Sequence, residues 1–326
     1  MKSIITYINE KLKVRSNNTL QKVNWPETKT EYENFIKPRI SNDNKYLDLS
    51  NIIFNSNNPI SLVIDALNEI KIDHNDIETI NVTGVEFTDN IKHLQYLFSD
   101  LLGLKNIIGF DTIDFNNITT LTGAFYKTNI ETIELDGANM GNIETVQAFF
   151  KNCKSLKRVT LKNWDCSNLT NVTHMFYGCY NLEEVIGLDT WENFNPIELT
   201  GMFLYCENLK TVDISNWDTS KVTYTYDMFC KCTELETLNL SKWDCTNFVW
   251  TSQMFLGCSK LKSLGKFMSN VKNNILFIST SCKDMFNGCK SLSLDLSHLT
   301  IVTTKSSNFA KDTDNSIFIA PKIKRK

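Results

Sequence analysis

The sequence has few histidines, little net charge and no long apolar run, and each of these shortages excludes a class of function. Its 34 Lys and Arg residues nearly balance 37 Asp and Glu residues, which gives a formal charge of −3 and a pI near 5.9. This balance argues against a surface that binds nucleic-acid phosphates. No window of the sequence approaches the ~20 apolar residues that a membrane-spanning helix needs, so we predict no membrane span.

Motifs of catalysis and cofactor binding are also missing from the sequence. The four histidines show neither the spacing of metal ligands nor a partner nucleophile motif. There is no glycine-rich phosphate loop, paired-carboxylate motif or nucleophile elbow. We therefore predict that the protein is not an enzyme and has no catalytic, cofactor-binding or metal-binding residues.

The first residues of the chain give a prediction about localisation. Residues 1–14 lack the apolar stretch of about 7 to 15 residues and the small-residue cleavage site of a secretory signal. The chain as given is therefore expected to be cytoplasmic or associated with a virion, unless a non-standard route exports it.

A repeat with a period of roughly 26 residues, within the range typical of a solenoid, dominates the sequence. In each complete copy a phenylalanine is followed by a cysteine three positions later and by a leucine six positions later. The complete copies begin at Phe150, Phe176, Phe203, Phe229, Phe255 and Phe286, and weaker copies begin at Phe98, Phe125 and Phe309. We therefore predict a solenoid of nine turns. The one clearly longer interval, between Phe255 and Phe286, predicts a small insertion.

The first half of a repeat predicts a short strand and a turn. Val159 and Leu161 stand two positions apart, as they would on one face of a strand, and residues 163–165 (Asn-Trp-Asp) then turn the chain. The same strand and turn positions recur in the units that contain Trp217 and Trp243.

The second half of the repeat predicts a short helical segment. Val172, Met175, Phe176 and Cys179 stand at i, i+3, i+4 and i+7, the spacing of one stripe of a helix. Because neither element can bury its apolar face alone, neighbouring turns must stack. We therefore predict an α/β repeat solenoid of the leucine-rich-repeat type, with one short strand and one short helical segment per turn.

The repeat resembles the BspA-like leucine-rich repeats, whose units carry Trp-Asp-x-Ser and Met-Phe-x-x-Cys in a fixed phase. The match is closest over residues 212–229 and covers roughly residues 90 to 310. The resemblance implies a curved, right-handed solenoid used for adhesion or protein interaction, commonly on bacterial or parasite surfaces. Residues 1–10 are in addition similar to the short amphipathic leaders of some internal proteins of tailed bacteriophages.

Four regions are predicted along the chain. Residues 1–45 form an N-terminal amphipathic helix and linker, and residues 46–90 form an N-terminal capping module or divergent repeats. Residues 91–316 form the leucine-rich repeats proper. Residues 317–326 supply a last strand and a basic tail. A cap is expected because the terminal turns of a solenoid need a polar outer face.

The six in-phase cysteines allow three interpretations. Disulfides between adjacent turns are within reach, but a ladder buried in the core would have to be oxidised before it packs. Zinc would need closely spaced ligand groups, and only Cys230 and Cys232 form a close pair. We favour the third interpretation, in which the cysteines are small buried hydrophobic residues.

The Trp-Asp pairs allow two interpretations. As a functional feature, the tryptophans would form a stacked platform for sugars and the aspartates would bind calcium. As a structural feature, Trp would fill the turn and Asp would accept backbone N–H bonds after it. Their constant offset from the strand favours the structural interpretation.

The polar positions within the regular strands are the predicted ligand face. These residues are Lys157, Arg158 and Thr160 in one unit, Lys210, Thr211 and Asp213 in a second, and Glu236, Thr237 and Asn239 in a third. A merely solvated face is the alternative. We predict a non-enzymatic binding module for adhesion to, or recognition of, a protein or glycan ligand. The alternative function is a structural or packaged component of a bacteriophage particle.

Overall fold

The chain winds into a solenoid of stacked turns. The structure, a computed structural model, describes residues 21–191, 193–269, 271, 275–277, 281–314 and 318–325. Each strand of two to four residues pairs in parallel with a strand of a neighbouring turn. Strands this short cannot bury a core alone, so stacking stabilises each turn.

A turn has three sides, which we name by the residues that they carry. The strand side follows the leucine of each unit, the Trp side contains the Trp-Asp bend, and the Phe side carries the repeated phenylalanine. Strands of the strand side are β2 (Tyr46–Asp48), β4 (Thr79–Asn81), β7 (Asn106–Ile108), β9 (Thr132–Glu134), β10 (Arg158–Thr160), β11 (Glu184–Ile186), β12 (Thr211–Val212), β14 (Leu294–Asp295) and β16 (Phe318–Ile319).

The Phe side is held together mostly by single parallel bridges. Its two strands are β6 (His93–Gln95) and β8 (Thr120–Thr122). The bridges then join, one turn at a time, Thr120, Thr145, Asn171, Glu198, Tyr224, Trp250, Ser281 and Lys305.

The remaining strands form a three-stranded sheet at each end of the solenoid. The N-terminal sheet contains β1 (Val23–Asn24), β3 (Ile52–Phe54) and β5 (Glu86–Phe87). The C-terminal sheet contains β13 (Ile275–Phe277), β15 (Thr300–Thr303) and β17 (Lys322–Arg325). Strand β13 lies in the long interval before Phe286 that predicted an insertion. The predicted basic tail is thus largely the strand β17, which pairs with β15.

The prediction of one helical segment per turn is wrong. The described α-helices are α1 (Lys29–Ile36) and α2 (Pro59–Glu69), and short 3₁₀ helices span Lys37–Arg39, His74–Asp76, Phe110–Thr112 and Leu188–Thr190. In the described parts of residues 91–314 no α-helix occurs. Consecutive β-turns take the place of the expected helical segments.

The unit around Phe176 shows why these residues do not form a helix. The N–H of Met175 donates to the carbonyl of Val172, which closes a β-turn, whereas the N–H of Phe176 donates to Met202 of the next turn. His174 and Gly178 have φ values of 56° and 73°, in the left-handed region that ends a right-handed helix. Turns of this kind place apolar side chains at the same spacing as a helix, so the pattern alone cannot distinguish the two.

A ladder of stacked phenylalanines forms the centre of the core. The rings from Phe98 to Phe286 stack on their neighbours with centroids 5.1 to 5.7 Å apart. Phe309 ends the series and meets Phe286 edge-on, at an interplanar angle of 79°. All of these rings are at most 5% exposed.

The N-terminal region packs on the first turns of the solenoid. The predicted capping module contains helix α2, which begins after Asn58, whose side chain accepts the N–H of Ser61. Helix α1 packs against α2, and Trp25 stacks on Phe54 with ring centroids 5.1 Å apart. The first 20 residues of the predicted N-terminal amphipathic helix and linker lie outside the described residues.

Candidate ligand-binding face

The nine residues of the predicted ligand face lie on the strand side, on three of four consecutive turns, and the turn of β11 between the first two carries none of them. Strand β10 pairs with β11, and β11 pairs with β12. Eight of the nine side chains are exposed. They therefore border a continuous outer surface of the sheet, which is the surface that solenoids use for contacts.

Thr160 is the exception to the predicted exposure, because it is only 5% exposed. Its register partners on the two neighbouring strands are Glu134 and Ile186, whose side chains are longer. The Thr160 hydroxyl is buried and has no hydrogen-bond partner. Thr160 is thus not part of the exposed face.

An alternating column of charges runs along this face, and the sequence reasoning did not find it. The position directly before each strand of the strand side from β2 to β12, and before the bridged residues Thr237 and Ser263, is occupied in turn by lysine and glutamate. We call this set the charge column: Lys45, Glu78, Lys105, Glu131, Lys157, Glu183, Lys210, Glu236 and Lys262. Reading this one position down successive repeats would have revealed the alternation.

Ion pairs join neighbouring members of the charge column. The Nζ atom of each lysine lies 2.5 to 3.1 Å from a carboxylate oxygen of the neighbouring turn. The hydrogen bond from Lys157 lowers the pKa of the Glu131 carboxyl, and the bond from Lys210 does the same for Glu183. Arg158 adds a pair with Glu184, with Nε 3.2 Å from Oε2. The face is therefore charged but locally neutral.

These ion pairs leave the face available to a ligand. The side chains of Lys157 and Glu131 are 51% and 65% exposed, and pairs this exposed contribute little to stability because water screens them. A partner whose charges run in the opposite order can replace these ion pairs by ion pairs of its own at a small cost in free energy.

Two of the predicted face residues have a structural role as well. The carboxylate of Asp213 accepts the backbone N–H of Ser215 at 3.0 Å, and the Asn239 side chain accepts that of Ser241 at 3.2 Å. Such bonds end a strand by turning the backbone. Asp213 and Asn239 are thus exposed, but substituting them would also disturb the turn.

The tryptophans of the three Trp-Asp bends, and Trp191 at the equivalent position before a glutamate, are packed inside the solenoid. Trp164, Trp191, Trp217 and Trp243 are at most 3% exposed, and each indole N–H donates to a backbone carbonyl of the preceding turn at 2.7 to 3.3 Å. The geometry agrees with the structural interpretation. A buried ring cannot stack on a sugar, so the platform interpretation is wrong for these four rings.

The aspartates of the bends accept backbone hydrogen bonds, as predicted. Oδ1 of Asp165 accepts the N–H of Ser167 at 3.1 Å, and Oδ1 of Asp218 accepts that of Ser220 at 3.0 Å. These bonds hold the pKa of the Asp218 carboxyl below its usual value. Within the described parts of the chain, no three His, Cys, Asp or Glu side chains converge on a point that could hold a metal ion.

The ladder cysteines are buried and hydrogen-bonded to the backbone. Each thiol lies 2.8 to 3.2 Å from the carbonyl oxygen of the phenylalanine one turn earlier. Thr128 takes the cysteine position in the unit of Phe125, and its hydroxyl donates to the Phe125 carbonyl at 3.1 Å. Burial raises the pKa of the Cys289 thiol to about 12. The prediction that these residues are buried is confirmed.

An exposed aromatic pair on the Phe side is a feature that sequence reasoning missed. Trp250 is 45% exposed, and its ring centroid lies 5.7 Å from that of Tyr226. The equivalent position on the preceding turn is Tyr224, and on the three turns before that it is occupied by Thr145, Asn171 and Glu198. Large aromatic side chains on two successive turns, at a position that is polar on the earlier turns, were the signal in the sequence.

The fold and its exposed face define a repeat solenoid with leucine-rich strands, an architecture used for binding and recognition. The chain belongs to the family described as "Mycoplasma protein of unknown function, DUF285", which matches residues 92–210 and again residues 182–299. No helix in the described part of the chain is long and apolar enough to cross a membrane.

Two solved structures are similar to this chain at 14% sequence identity. One is a leucine-rich repeat protein from Eubacterium ventriosum ATCC 27560, where the alignment covers 86% of this chain and 93% of that chain, with a TM-score of 0.35. The other is a TLR13–ssRNA13 complex, with 86% and 50% coverage and a TM-score of 0.21. A search of curated proteins finds no match.

Proposed function

We propose that this protein is a non-enzymatic module that binds a protein or glycan ligand through the strand side of its solenoid. The observation that supports this function is the charge column, which crosses most of the turns on an exposed sheet surface. Regularly spaced charges of alternating sign specify where a partner docks along the solenoid, because a shift by one turn brings like charges together.

Within this function, a protein partner fits the face better than a neutral glycan does. The ion pairs of the column offer both a cation and an anion at each step, and a polypeptide can supply both complementary charges. A right-handed winding, as in the BspA-like repeats, and a role in adhesion belong to the same proposal. The bacteriophage alternative has no observation in its favour.

The test compares ligand capture by the wild-type chain and by a face variant. The face variant carries Lys157→Ser, Arg158→Ser, Lys210→Ser and Glu236→Ser, and it leaves Asp213 intact because that residue closes a turn. Both chains are immobilised and exposed to glycan arrays and to extracts of cell-surface proteins. We expect the face variant to lose at least about tenfold in affinity for the ligands that the wild type retains, while its thermal midpoint moves by less than about 2 °C, as for surface substitutions.

A control variant separates the loss of the face from the loss of charge. Lys242→Ser with Lys266→Ser removes two positive charges from exposed residues on the Trp side, and the face variant has the same net change of −2. We expect the control to retain wild-type capture. Equal retention of every ligand by the wild type and the face variant would overturn the proposal.

A further inference from the structure

A groove on the Phe side brings aromatic, hydroxyl and ammonium groups together near the C-terminal end of the solenoid. Its volume is about 500 Å³, within the range of pockets that bind small molecules, ~300 to 1,000 Å³. We call it the aromatic groove, and its principal residues are Tyr226, Trp250, Ser252, Ser281, Lys283 and Lys305. It lies on a different side of the turn from the charge column.

The aromatic part of the groove is exposed against the trend of the chain. The tryptophans of the Trp-Asp bends are at most 3% exposed, whereas Trp250 is 45% exposed. Tyr224, its bridge partner on the preceding turn, is 39% exposed. Three exposed or half-exposed rings on two adjacent turns, with Tyr226 beside Trp250, do not serve the core. Exposed clusters of this kind mark contact sites.

The polar part of the groove lies on the two following turns. Lys283 is on the same turn as Ser281, one turn from Trp250, and Lys305 is one turn further. Because neighbouring turns lie about 5 Å apart, both lysines are on the C-terminal side of Trp250 along the solenoid, and both line the groove. Oγ of Ser252 lies 2.5 Å from Oγ of Ser281, which fixes both hydroxyls at the floor of the groove.

We propose that the aromatic groove binds a sugar that carries a carboxylate group. The C–H face of a sugar ring stacks on the electron-rich face of Trp250, as aromatic rings favour positively polarised edges. Lys283 and Lys305 bind the carboxylate. The Asp284 carboxylate, 3.7 Å from Lys283 Nζ, positions that ammonium group.

Nucleic acid fits the same groove less well. A phosphate backbone requires a run of cations along its path, but the bridge ladder of the Phe side carries Glu198 two turns before Trp250. Asp284 lies beside Lys283 at the opposite end. The two lysines between these carboxylates can bind a single negatively charged group, but they cannot bind the successive phosphates of a nucleic-acid strand.

The test measures binding of the full chain to sialyllactose and to lactose, its neutral parent, by saturation-transfer NMR and by titration. We expect sialyllactose to bind at least about tenfold more tightly than lactose, the scale of a charge-assisted hydrogen bond. Trp250→Ala should abolish binding of both sugars. Lys283→Gln with Lys305→Gln should remove only the preference for the acidic sugar. A glucuronate-terminated disaccharide and its glucose counterpart repeat the comparison with a second carboxylate sugar.

Tyr180→Ala is the matched control, because Tyr180 is 38% exposed and lies outside the groove. It should bind both sugars as the wild type does, and the melting curves of all variants should agree. The proposal is overturned if neither acidic sugar binds, if Trp250→Ala binds normally, or if a single-stranded oligonucleotide displaces the sugar at lower concentration. None of these variants alters the charge column, so the outcome is independent of the function proposed for the strand side.

Discussion

Truncating one ring of the phenylalanine ladder tests the stacking of the solenoid most directly. Phe229 has no exposed surface, and its ring lies nearly parallel to Phe203 and Phe255, with centroids 5.2 and 5.7 Å away. A buried aromatic side chain removes ~150 to 250 Å² from water, which is about 4 to 6 kcal/mol at ~25 cal/mol per Å². Measured truncations from Phe to Ala cost about 3 to 5 kcal/mol.

We expect Phe229→Ala to fall in the upper half of that range, at about 4 to 5 kcal/mol of unfolding free energy. The cavity cannot easily collapse, because backbone bonds hold the turns apart on both sides. The N–H of Phe229 donates to Met254 and that of Phe203 donates to Met228, each at 2.8 Å. Each turn is coupled mainly to its neighbours, so loss of this ring should let the turns on its two sides unfold separately. The slope of unfolding free energy against urea concentration should then also decrease.

Urea unfolding followed by circular dichroism measures both quantities. Phe309→Ala is the control, because Phe309 ends the ladder and meets one ring of the ladder edge-on. It should cost less, about 2 to 3 kcal/mol. A cost below about 1 kcal/mol for Phe229→Ala, the range of surface substitutions, would refute the reasoning. So would a larger loss in Phe309→Ala.

Three further predictions concern the thiols, the Trp-Asp bends and one buried carboxyl. The six ladder cysteines should react with a thiol reagent only in denaturant, and disulfides in the native mass would contradict this. Trp217→Ala should lower the free energy of unfolding by about 3 to 5 kcal/mol, while the folded variant should still capture ligand. Loss of ligand capture at an unchanged melting temperature would show instead that Trp217 contacts the ligand. Burial raises the pKa of Asp227 to about 6, so the folded state binds the proton more tightly and stability falls as pH rises from about 4 to 7. Asp227→Asn should raise the free energy of unfolding by about 1 to 2 kcal/mol at pH 8 and by little at pH 4, a range that allows for the partial exposure of this carboxyl. Asp218→Asn, at a carboxyl whose pKa is lowered, should destabilise at pH 8, and the same response from both variants would contradict this account.

Asp227 is well suited to that substitution for a backbone reason. Its φ is 56°, and asparagine adopts this left-handed conformation more readily than most residues do. The Oδ1 atom of Asp227 is buried without a hydrogen-bond partner. Replacing the carboxyl by an amide therefore removes the buried charge and leaves the backbone unstrained.

The charge column and the aromatic groove divide the surface into two kinds of binding site. The column is long, regular and neutral over each pair of turns, which suits an extended partner. The groove is confined to a few turns and has one aromatic end and one cationic end. Variants in one can be combined with variants in the other, because the two sites share no residue.

The sequence by itself determined the features that every turn repeats. A phenylalanine that recurs once in every repeat can be buried in a stack only if successive turns align, so the period alone predicted the contact between Phe176 and Phe203. The constant offset of Trp217 from its strand likewise predicted a packed ring. Such features are predictable because equivalent residues of stacked repeats lie in equivalent surroundings.

Only the tertiary structure decided the features that depend on which turns are neighbours. The residues around Phe176 form β-turns because hydrogen bonds to the next turn compete with those of a helix, a competition that no single repeat contains. Thr160 is buried on the middle strand of three, between Glu134 and Ile186 of the flanking strands. The partner of Lys210 in the charge column and the lysines beside Trp250 likewise come from adjacent turns, far away along the chain. The pattern of apolar residues within one repeat determines which side chains of a turn are buried. The stacking of different turns determines which side chains lie next to each other on the outer surface.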